Sequence, residues 1–391
     1  MTGTRLVKPT SAPLWPMSAS RLWAGAVTVA LSGWLALVRP AYPDEAPAAR
    51  IGINRVNLGW QSHGEQERIL KDIAASGATD VRLSLSRPVD KSIEALAIAS
   101  RLGLGILLEI QLANKSYYPE SVSPRTGFGR IWDIHRLSDL DLDRYRKGLR
   151  EALQRIDALG IRLEAIEPGN EINYAGYNGD LAVYRRKGPP TARGIADVKD
   201  RLAFERGLDK YVRVLEISRD EVRATLHSHN AAIISAGLSD MSAEEADKRG
   251  MERLDPRVFV AALRQHGVDS LVDAYGVHLY PGRKTPAVLA AHVKTLLDFC
   301  RPADQGKPCW VTEWGIANTA RSCPIDDRAR EGAVRAMRTT LGELMAGGRL
   351  AAAYYYDWDT EPAYSLWRCG KLSPAGAAAI RPAEIEGARA R

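Results

Sequence analysis

The sequence predicts an α/β fold, a single closed (β/α)8 TIM barrel. Three observations point there. From Ile51 onward, short apolar runs, polar loops and amphipathic helical stretches follow one another in strict alternation. The apolar runs number eight, at 51–58, 79–85, 104–111, 163–170, 231–237, 272–279, 309–313 and 350–357. The fourth and seventh of them each run out into a loop through a glutamate, Glu171 and Glu313. A chain of 391 residues is long enough to bury the large core such a barrel requires.

The elements follow in order. In the second strand, Val81, Leu83 and Leu85 alternate with Arg82, Ser84 and Ser86, so the apolar set faces the helices and the polar set faces the lumen. Arg82 then needs a carboxylate partner, because an unpaired cation in the lumen is costly. On the third strand Glu109 and Gln111 either line a cleft or form a buried polar pair. Between the third and fourth strands Leu142, Tyr145, Leu149, Leu153, Ile156 and Leu159 recur at helical steps, with Gly160 as the C-cap. Before the last strand Ala333, Met337, Leu341 and Leu344 do the same and stop at Gly347-Gly348. The connections at about 113–137 and 174–199 are long, and at the C-terminal ends of barrel strands such loops shape a cleft.

Four segments organise the chain: 1–40 as a signal peptide or signal anchor, 41–50 as a linker, 51–377 as the barrel and 378–391 as a basic tail. The run 22–38 carries no charge, follows Arg5, Lys8 and Arg21, and ends at Arg39 and Pro40. Its length lies between a signal-peptide core and a span of roughly 20 residues, so it is either cleaved, near Ala46-Pro47-Ala48, or retained in the membrane. Met17 is an alternative start that would leave a shorter basic region before the run. Export to the periplasm or medium is the expectation. Four cysteines agree with it. Of the three pairings, the barrel topology favours Cys300 with Cys309 and Cys323 with Cys369, each pair at one end of the barrel; free thiols are the rival reading. The formal charge of +7 is spread over both signs, which argues against nucleic acid as a partner. A monomer is expected.

The chemistry rests on Pro168-Gly169-Asn170-Glu171-Ile172-Asn173 and Trp310-Val311-Thr312-Glu313-Trp314-Gly315. Two glutamates delivered at strand ends are the equipment for glycosidic cleavage, in which one acid protonates the departing oxygen and the other attacks or stabilises the sugar carbon. The Asn170-Glu171 pair and the Thr312-Glu313-Trp314-Gly315 run resemble the signature of the clan A glycoside hydrolases, the retaining (β/α)8 glycosidases. The likeness covers about 51–377 and leaves the family open between family 39-like and family 5-like, since Ile172 stands where many members have proline. It implies that Glu171 is the acid/base, Asn170 contacts the sugar 2-hydroxyl and Glu313 is the nucleophile. It further implies that His278 and Tyr280 line the catalytic subsite, that Trp358 carries the sugar ring and that Arg82 keeps the nucleophile ionised. Trp60 and Trp314 are further candidates for stacking on sugar, against packing beneath loops.

Rival readings are bland or poorly equipped. A strand-end glutamate can be a structural ion-pair member, His278 a core histidine, and Glu167 a salt-bridge partner of its neighbours. His227 and His229 precede the fifth strand, at the end opposite the expected cleft, which disfavours a metal hydrolase. Gly103-Leu104-Gly105 lacks the rest of a dinucleotide fingerprint, and no Gly-x-Ser-x-Gly elbow occurs. The expectation is an exported enzyme that cleaves a β-linked polysaccharide or oligosaccharide with retention and needs neither metal nor organic cofactor. A transglycosylase using the same residues and a noncatalytic carbohydrate-binding barrel are the alternatives.

Overall fold

The computed structural model describes residues 50–124, 134–181, 194–240, 248, 253–282, 284–320 and 322–381. The expected signal segment, all but the last residue of the linker, and the tail beyond 381 lie outside the described residues, and the two long loops are described only in part.

All eight expected strands are present and parallel: β1 (Arg50–Asn54), β2 (Asp80–Leu85), β3 (Gly105–Ile110), β4 (Ala165–Pro168), β5 (Ala232–Ile233), β6 (Tyr275–Leu279), β7 (Cys309–Trp314) and β8 (Leu350–Tyr356). Each pairs with its sequence neighbour, and β1 also pairs with β8. The remaining seam, between β5 and β6, is closed by bridges of Ile234 with Ala274 and Leu238 with Val277. Backbone bonds from Ser235 N–H to the Ala274 oxygen (3.1 Å) and from His278 N–H to the Leu238 oxygen (2.8 Å) complete the ring. The sheet therefore has no free edge.

Among the described residues a helix of seven or more residues follows each strand: α1 (His63–Ala75), α2 (Val89–Arg101), α3 (Leu142–Ala158), α4 (Arg201–Arg223), α5 (Pro256–Gln265), α6 (Pro286–Leu296), α7 (Arg328–Ala346) and α8 (Pro374–Ile380). Their starts are chemically marked. Side chains of Ser62, Asp141, Asp200, Asp255 and Ser373 accept backbone N–H bonds as N-caps, and Pro256, Pro286 and Pro374 occupy first-turn positions. The stripe on α3 buries Tyr145, Leu149, Leu153 and Ile156 as expected. Leu159 departs from it, because it is the residue that caps the helix and leaves its axis; it is 59% exposed.

The core has two parts. The larger lies between strands and helices, where Ile53, Val81, Leu83, Phe204 and Leu341 are buried, each such side chain stabilising by about 1.5–3 kcal/mol. The smaller is a plug inside the ring, made by Leu107, Ala165, Ile234, Ala274, Trp310, Ala352 and Tyr354. Above the plug, toward the C-terminal ends of the strands, the interior turns polar.

Two disulfides are formed, in the favoured pairing. Cys300–Cys309 joins the end of the α6 connection to the start of β7, at the N-terminal end of the barrel. Cys323–Cys369 ties the loop after β7 to the small hairpin of Trp367–Arg368 and Lys371–Leu372, at the C-terminal end. Two such crosslinks suggest a protein exposed to an oxidising compartment. Among the described residues no helix is long and apolar enough to cross a membrane; the run 22–38 is not among them.

Candidate active site

Glu171 owes its direction to the way the chain leaves β4. Gly169 turns it with φ 98°, and Glu171 itself sits at φ 43°, a left-handed conformation uncommon for a residue with a side chain. The neighbouring loop holds it there: Glu171 N–H donates to the Gly237 oxygen at 2.8 Å, and Asn170 bridges to Gly237. Non-glycine residues persist in this region only where surroundings over-determine them, and functional sites are where that occurs most often.

Glu313 reaches the lumen by a different device. The register between β7 and its neighbours shifts near Val311 and Trp314, as in a β-bulge. Thr312 and Glu313 therefore both address the polar interior, although they are adjacent in sequence. Strand alternation alone would have sent one of them outward.

The two glutamates meet at one imidazole. His278 Nδ1, fully buried, lies 3.0 Å from Glu171 Oε1 and 3.6 Å from Glu313 Oε2. The two carboxylate oxygens are thus no farther apart than those two distances laid end to end. Two glycines make the room. A Cβ at Gly237 would stand 2.1 Å from His278 Nε2, and one at Gly276 would stand 2.4 Å from the Ser235 oxygen and 2.9 Å from Glu167 Oε1.

Arg82 is the hub beneath them, with no solvent exposure. Its Nε donates to Glu167 Oε2 at 2.6 Å, one Nη to Glu313 Oε1 at 2.7 Å and the other to Asn170 Oδ1 at 3.1 Å. The partner sought for this cation is therefore a pair, Glu167 and Glu313. Thr312 Oγ1 donates to the second oxygen of Glu167 at 2.6 Å, and the Tyr280 hydroxyl donates to Glu313 Oε2 at 2.5 Å.

These contacts set the charges. Burial on its own would raise the Glu313 carboxyl, but the charges of His278 and Arg82 and the bonds from Tyr280 and Arg82 outweigh it, holding Glu313 below the ordinary glutamate value. For His278 burial works against the cation, yet Glu313 and Glu171 prevail and raise it. Arg82 is likewise held more firmly protonated, Glu167, Glu313 and Glu109 outweighing burial. The Tyr280 hydroxyl is pushed well up, chiefly by burial and then by the Glu313 charge, so it stays a donor.

The tryptophan expectations need correction. Trp314 is 1% exposed and packs edge-on against Tyr355 between strand and helix, because the bulge turns Glu313 inward and leaves Trp314 on the outer face. Trp358 is wholly buried, two residues past the end of β8, and stacks on Trp367. Neither offers a face to a sugar. Tyr356 occupies the inward position instead. Its ring is half-buried, 5.9 Å edge-to-face from Tyr280, and Tyr364 joins both. The missed signal was parity: Tyr354 belongs to the inner plug, so the residue two positions on faces the lumen as well. Trp60 is 60% exposed in the loop after β1, its Nε1 donating to the Arg87 oxygen at 2.8 Å.

Two further carboxyls join the site. Asp240 accepts the Tyr280 N–H through both oxygens, at 3.1 and 3.0 Å. Burial, with the Glu171 charge adding, pushes it up to about 7 against that bond. Glu109 is 2% exposed, with Oε1 unpartnered, and burial, aided by Glu167 and Glu313 and opposed by Arg82, pushes it up to about 8. Its neighbourhood already contains two anions on one guanidinium, and burial outweighs the attraction that Arg82 offers a third.

No family model matches this chain, and no curated protein does. Solved structures do. The crystal structure of GH5_18 from Streptomyces cattleya in complex with GlcNAc aligns over 85% of this chain and 80% of its own, with 15% identity and a TM-score of 0.52. The AHE enzyme from Alicyclobacillus herbarius aligns over 87% and 98%, with 11% identity and a TM-score of 0.51. The β-glycosidase BGL167 aligns over 85% and 94%, with 12% identity and a TM-score of 0.50. What these chains share is the barrel. At such identities the likeness is one of fold, and the chemistry has to be argued from the residues of this site.

Proposed function

We propose that the protein is a retaining β-glycoside hydrolase acting on a β-linked polysaccharide or oligosaccharide, with Glu313 as nucleophile and Glu171 as acid/base. The observation that carries this reading is the convergence of Glu171 and Glu313 on His278 Nδ1. In retaining enzymes the two carboxyl groups stand about 5–5.5 Å apart, and in inverting ones about 6.5–9.5 Å. Two oxygens this close to one imidazole nitrogen support the closer spacing.

Each step then has a group to perform it. Glu313, kept ionised by Arg82, Tyr280 and His278, attacks the anomeric carbon while the carboxylic acid of Glu171 gives its proton to the departing oxygen. Water then enters on the vacated side, loses a proton to Glu171 and releases the sugar from Glu313. Asn170, fixed by Arg82, is placed to meet the 2-hydroxyl, and Tyr356 supplies the aromatic surface expected earlier of Trp358. Two fold neighbours, the β-glycosidase BGL167 and the GH5_18 protein in complex with GlcNAc, support this direction. We also read 51–377 as the catalytic barrel of an exported monomer, with 22–38 as its signal or anchor.

A panel of β-linked polysaccharides and aryl β-glycosides, tested with wild type, Glu171→Gln and Glu313→Gln, tests the proposal. Each variant should lose about 10²–10⁴-fold or more in kcat. A 2-fluoro aryl glycoside should leave one sugar on the intact protein, located on Glu313 by peptide mass spectrometry. Turnover without labelling, and with inverted product, would remove the nucleophile role. Products lengthened rather than shortened would make the enzyme a transglycosylase, and binding without turnover, unchanged in both variants, would make it a carbohydrate-binding barrel.

A further inference from the structure

A second concave surface lies outside the catalytic centre. It is a groove of about 910 Å³ between the exit of β2, the loop after β3 and the flank of α3. Pockets of roughly 300–1,000 Å³ suit a ligand the size of a short oligosaccharide. Four cations line it, Arg87, Arg144, Lys147 and Arg155, against a single carboxylate, Glu151.

The cations are not equally occupied. Arg155 pairs with Asp90 at 2.6 Å and Arg144 with Asp141 at 3.5 Å. Arg87 and Lys147 have no carboxylate within ion-pair distance among the described residues, and both are exposed. Between them the floor is aromatic and tight: Tyr117 packs on Gly148, where a Cβ would stand 3.0 Å from the ring, and Tyr117 meets Tyr145 edge-on at 5.1 Å. Trp60 is not itself part of the lining but is tied to it: it is the largest exposed apolar side chain described, and its Nε1 donates to the backbone oxygen of Arg87, a lining residue, at 2.8 Å. An exposed indole bonded to the backbone of one such cation, in a groove with a second, fits a ligand with both apolar ring faces and negative charge. A sugar ring carrying a carboxylate has both.

We propose that this groove binds an acidic polysaccharide segment, with Arg87 and Lys147 pairing to uronate carboxylates and Trp60 stacking on a sugar ring. The inference deepens the glycosidase reading, on which it rests for the choice of a glycan, and narrows the substrate to a carboxylated polymer gripped at a distance from the scissile bond.

Poly-β-1,4-mannuronate and β-1,4-mannan share a linkage and differ in the carboxylate, so they make a matched pair. Affinity for both is measured by affinity electrophoresis and calorimetry at low and physiological salt, using full-length wild type, Trp60→Ala and the double variant Arg87→Ala with Lys147→Ala. Wild type should bind the mannuronate at least about 10-fold more tightly than the mannan at low salt, and the preference should shrink as salt rises. The double variant should abolish the preference while hydrolysing an aryl β-glycoside at the wild-type rate; Trp60→Ala should weaken binding of both polymers. Equal affinity for the two polymers, or an unchanged preference in the double variant, overturns the proposal. So does equally tight binding of dextran sulfate or single-stranded DNA, which would reduce the groove to a general polyanion patch. Binding is read without turnover, so the two readings fail separately. Preference for mannuronate without aryl-glycoside cleavage would sink the glycosidase and keep the groove, and the converse would do the opposite.

Discussion

The barrel interior has two levels that obey opposite rules. The lower is filled by Leu107, Ala165, Ile234, Ala274, Trp310, Ala352 and Tyr354, alanines interleaved with large apolar side chains. Two residues farther along the same strands stand Glu109, Glu167 and Thr312, with Arg82 and His278 beside them, all buried and all polar. The step of two preserves the inward face and changes only the depth. The lower level is stabilised by removing carbon from water, at about 25 cal/mol per Å². The upper one is stabilised only if every charge finds its partner, since a buried ion pair broken on one side costs far more than the pair contributes. Chemistry lives where the second rule holds, at the cost of a network with little redundancy.

The sharpest way to break the contrast is Arg82→Met. It leaves Glu167 and Glu313 buried without their shared cation and frees Asn170. Urea unfolding near neutral pH should show a loss of about 3–5 kcal/mol, and kcat should fall with it. Lowering the pH, which lets the stranded carboxyls protonate, should restore part of the stability but not the activity. A loss confined to activity would mean that water or a moved side chain replaces the guanidinium, and the upper level would then be less constrained than it looks.

Glu109→Gln sharpens the same comparison with the opposite sign. The folded Glu109 keeps its proton up to about 8, whereas an unfolded glutamate releases it near 4.3. Between those values the native state binds the extra proton, so wild-type stability falls as pH rises, by at most about 1.4 kcal/mol per unit. Glutamine does not titrate. The variant should therefore match wild type near pH 4 and become the more stable protein by pH 8, as read from urea midpoints across that range, with the cavity variant Leu107→Ala as a pH-indifferent control. Glu313 obeys the reverse sign: its lowered value contributes stability above the unfolded value and loses it as pH falls through the folded one. A constant offset between Glu109→Gln and wild type would show that Glu109 is ionised in the fold.

The two levels were unequally legible in the sequence. All eight strands could be placed because an apolar run between turn residues is a local pattern, and α3 and α7 because a helical stripe is one too. The inward turn of Arg82 followed from alternation in Val81 to Ser86. Alternation failed where the backbone broke step: a bulge in β7 brings Thr312 and Glu313 inward together and turns Trp314 away. Trp358 misled because tryptophan draws the eye to sugar stacking, when position relative to Tyr354 already assigned Tyr356 to the lumen. Asp240 and the Arg87–Lys147 groove could not be read at all. Their partners come from distant segments, and only the closed ring brings them together.

Asp240→Asn should have the smallest effect and yet probes the link between the levels and the chemistry. Asp240 holds the Tyr280 backbone, and the Tyr280 hydroxyl holds Glu313. Asparagine keeps an acceptor oxygen for the N–H, so the tyrosine should stay in place and kcat at pH 6 should change by no more than about 3-fold. What the substitution removes is a titration. As pH rises through about 7, wild-type Asp240 acquires a negative charge that faces Glu171, the group that must carry a proton into the reaction. Asparagine cannot acquire that charge, so an inflection near 7 in log kcat/KM should disappear from Asp240→Asn. If instead the profile keeps its shape and KM alone rises, Asp240 acts by holding Tyr280 in position, and its charge takes no part in the reaction.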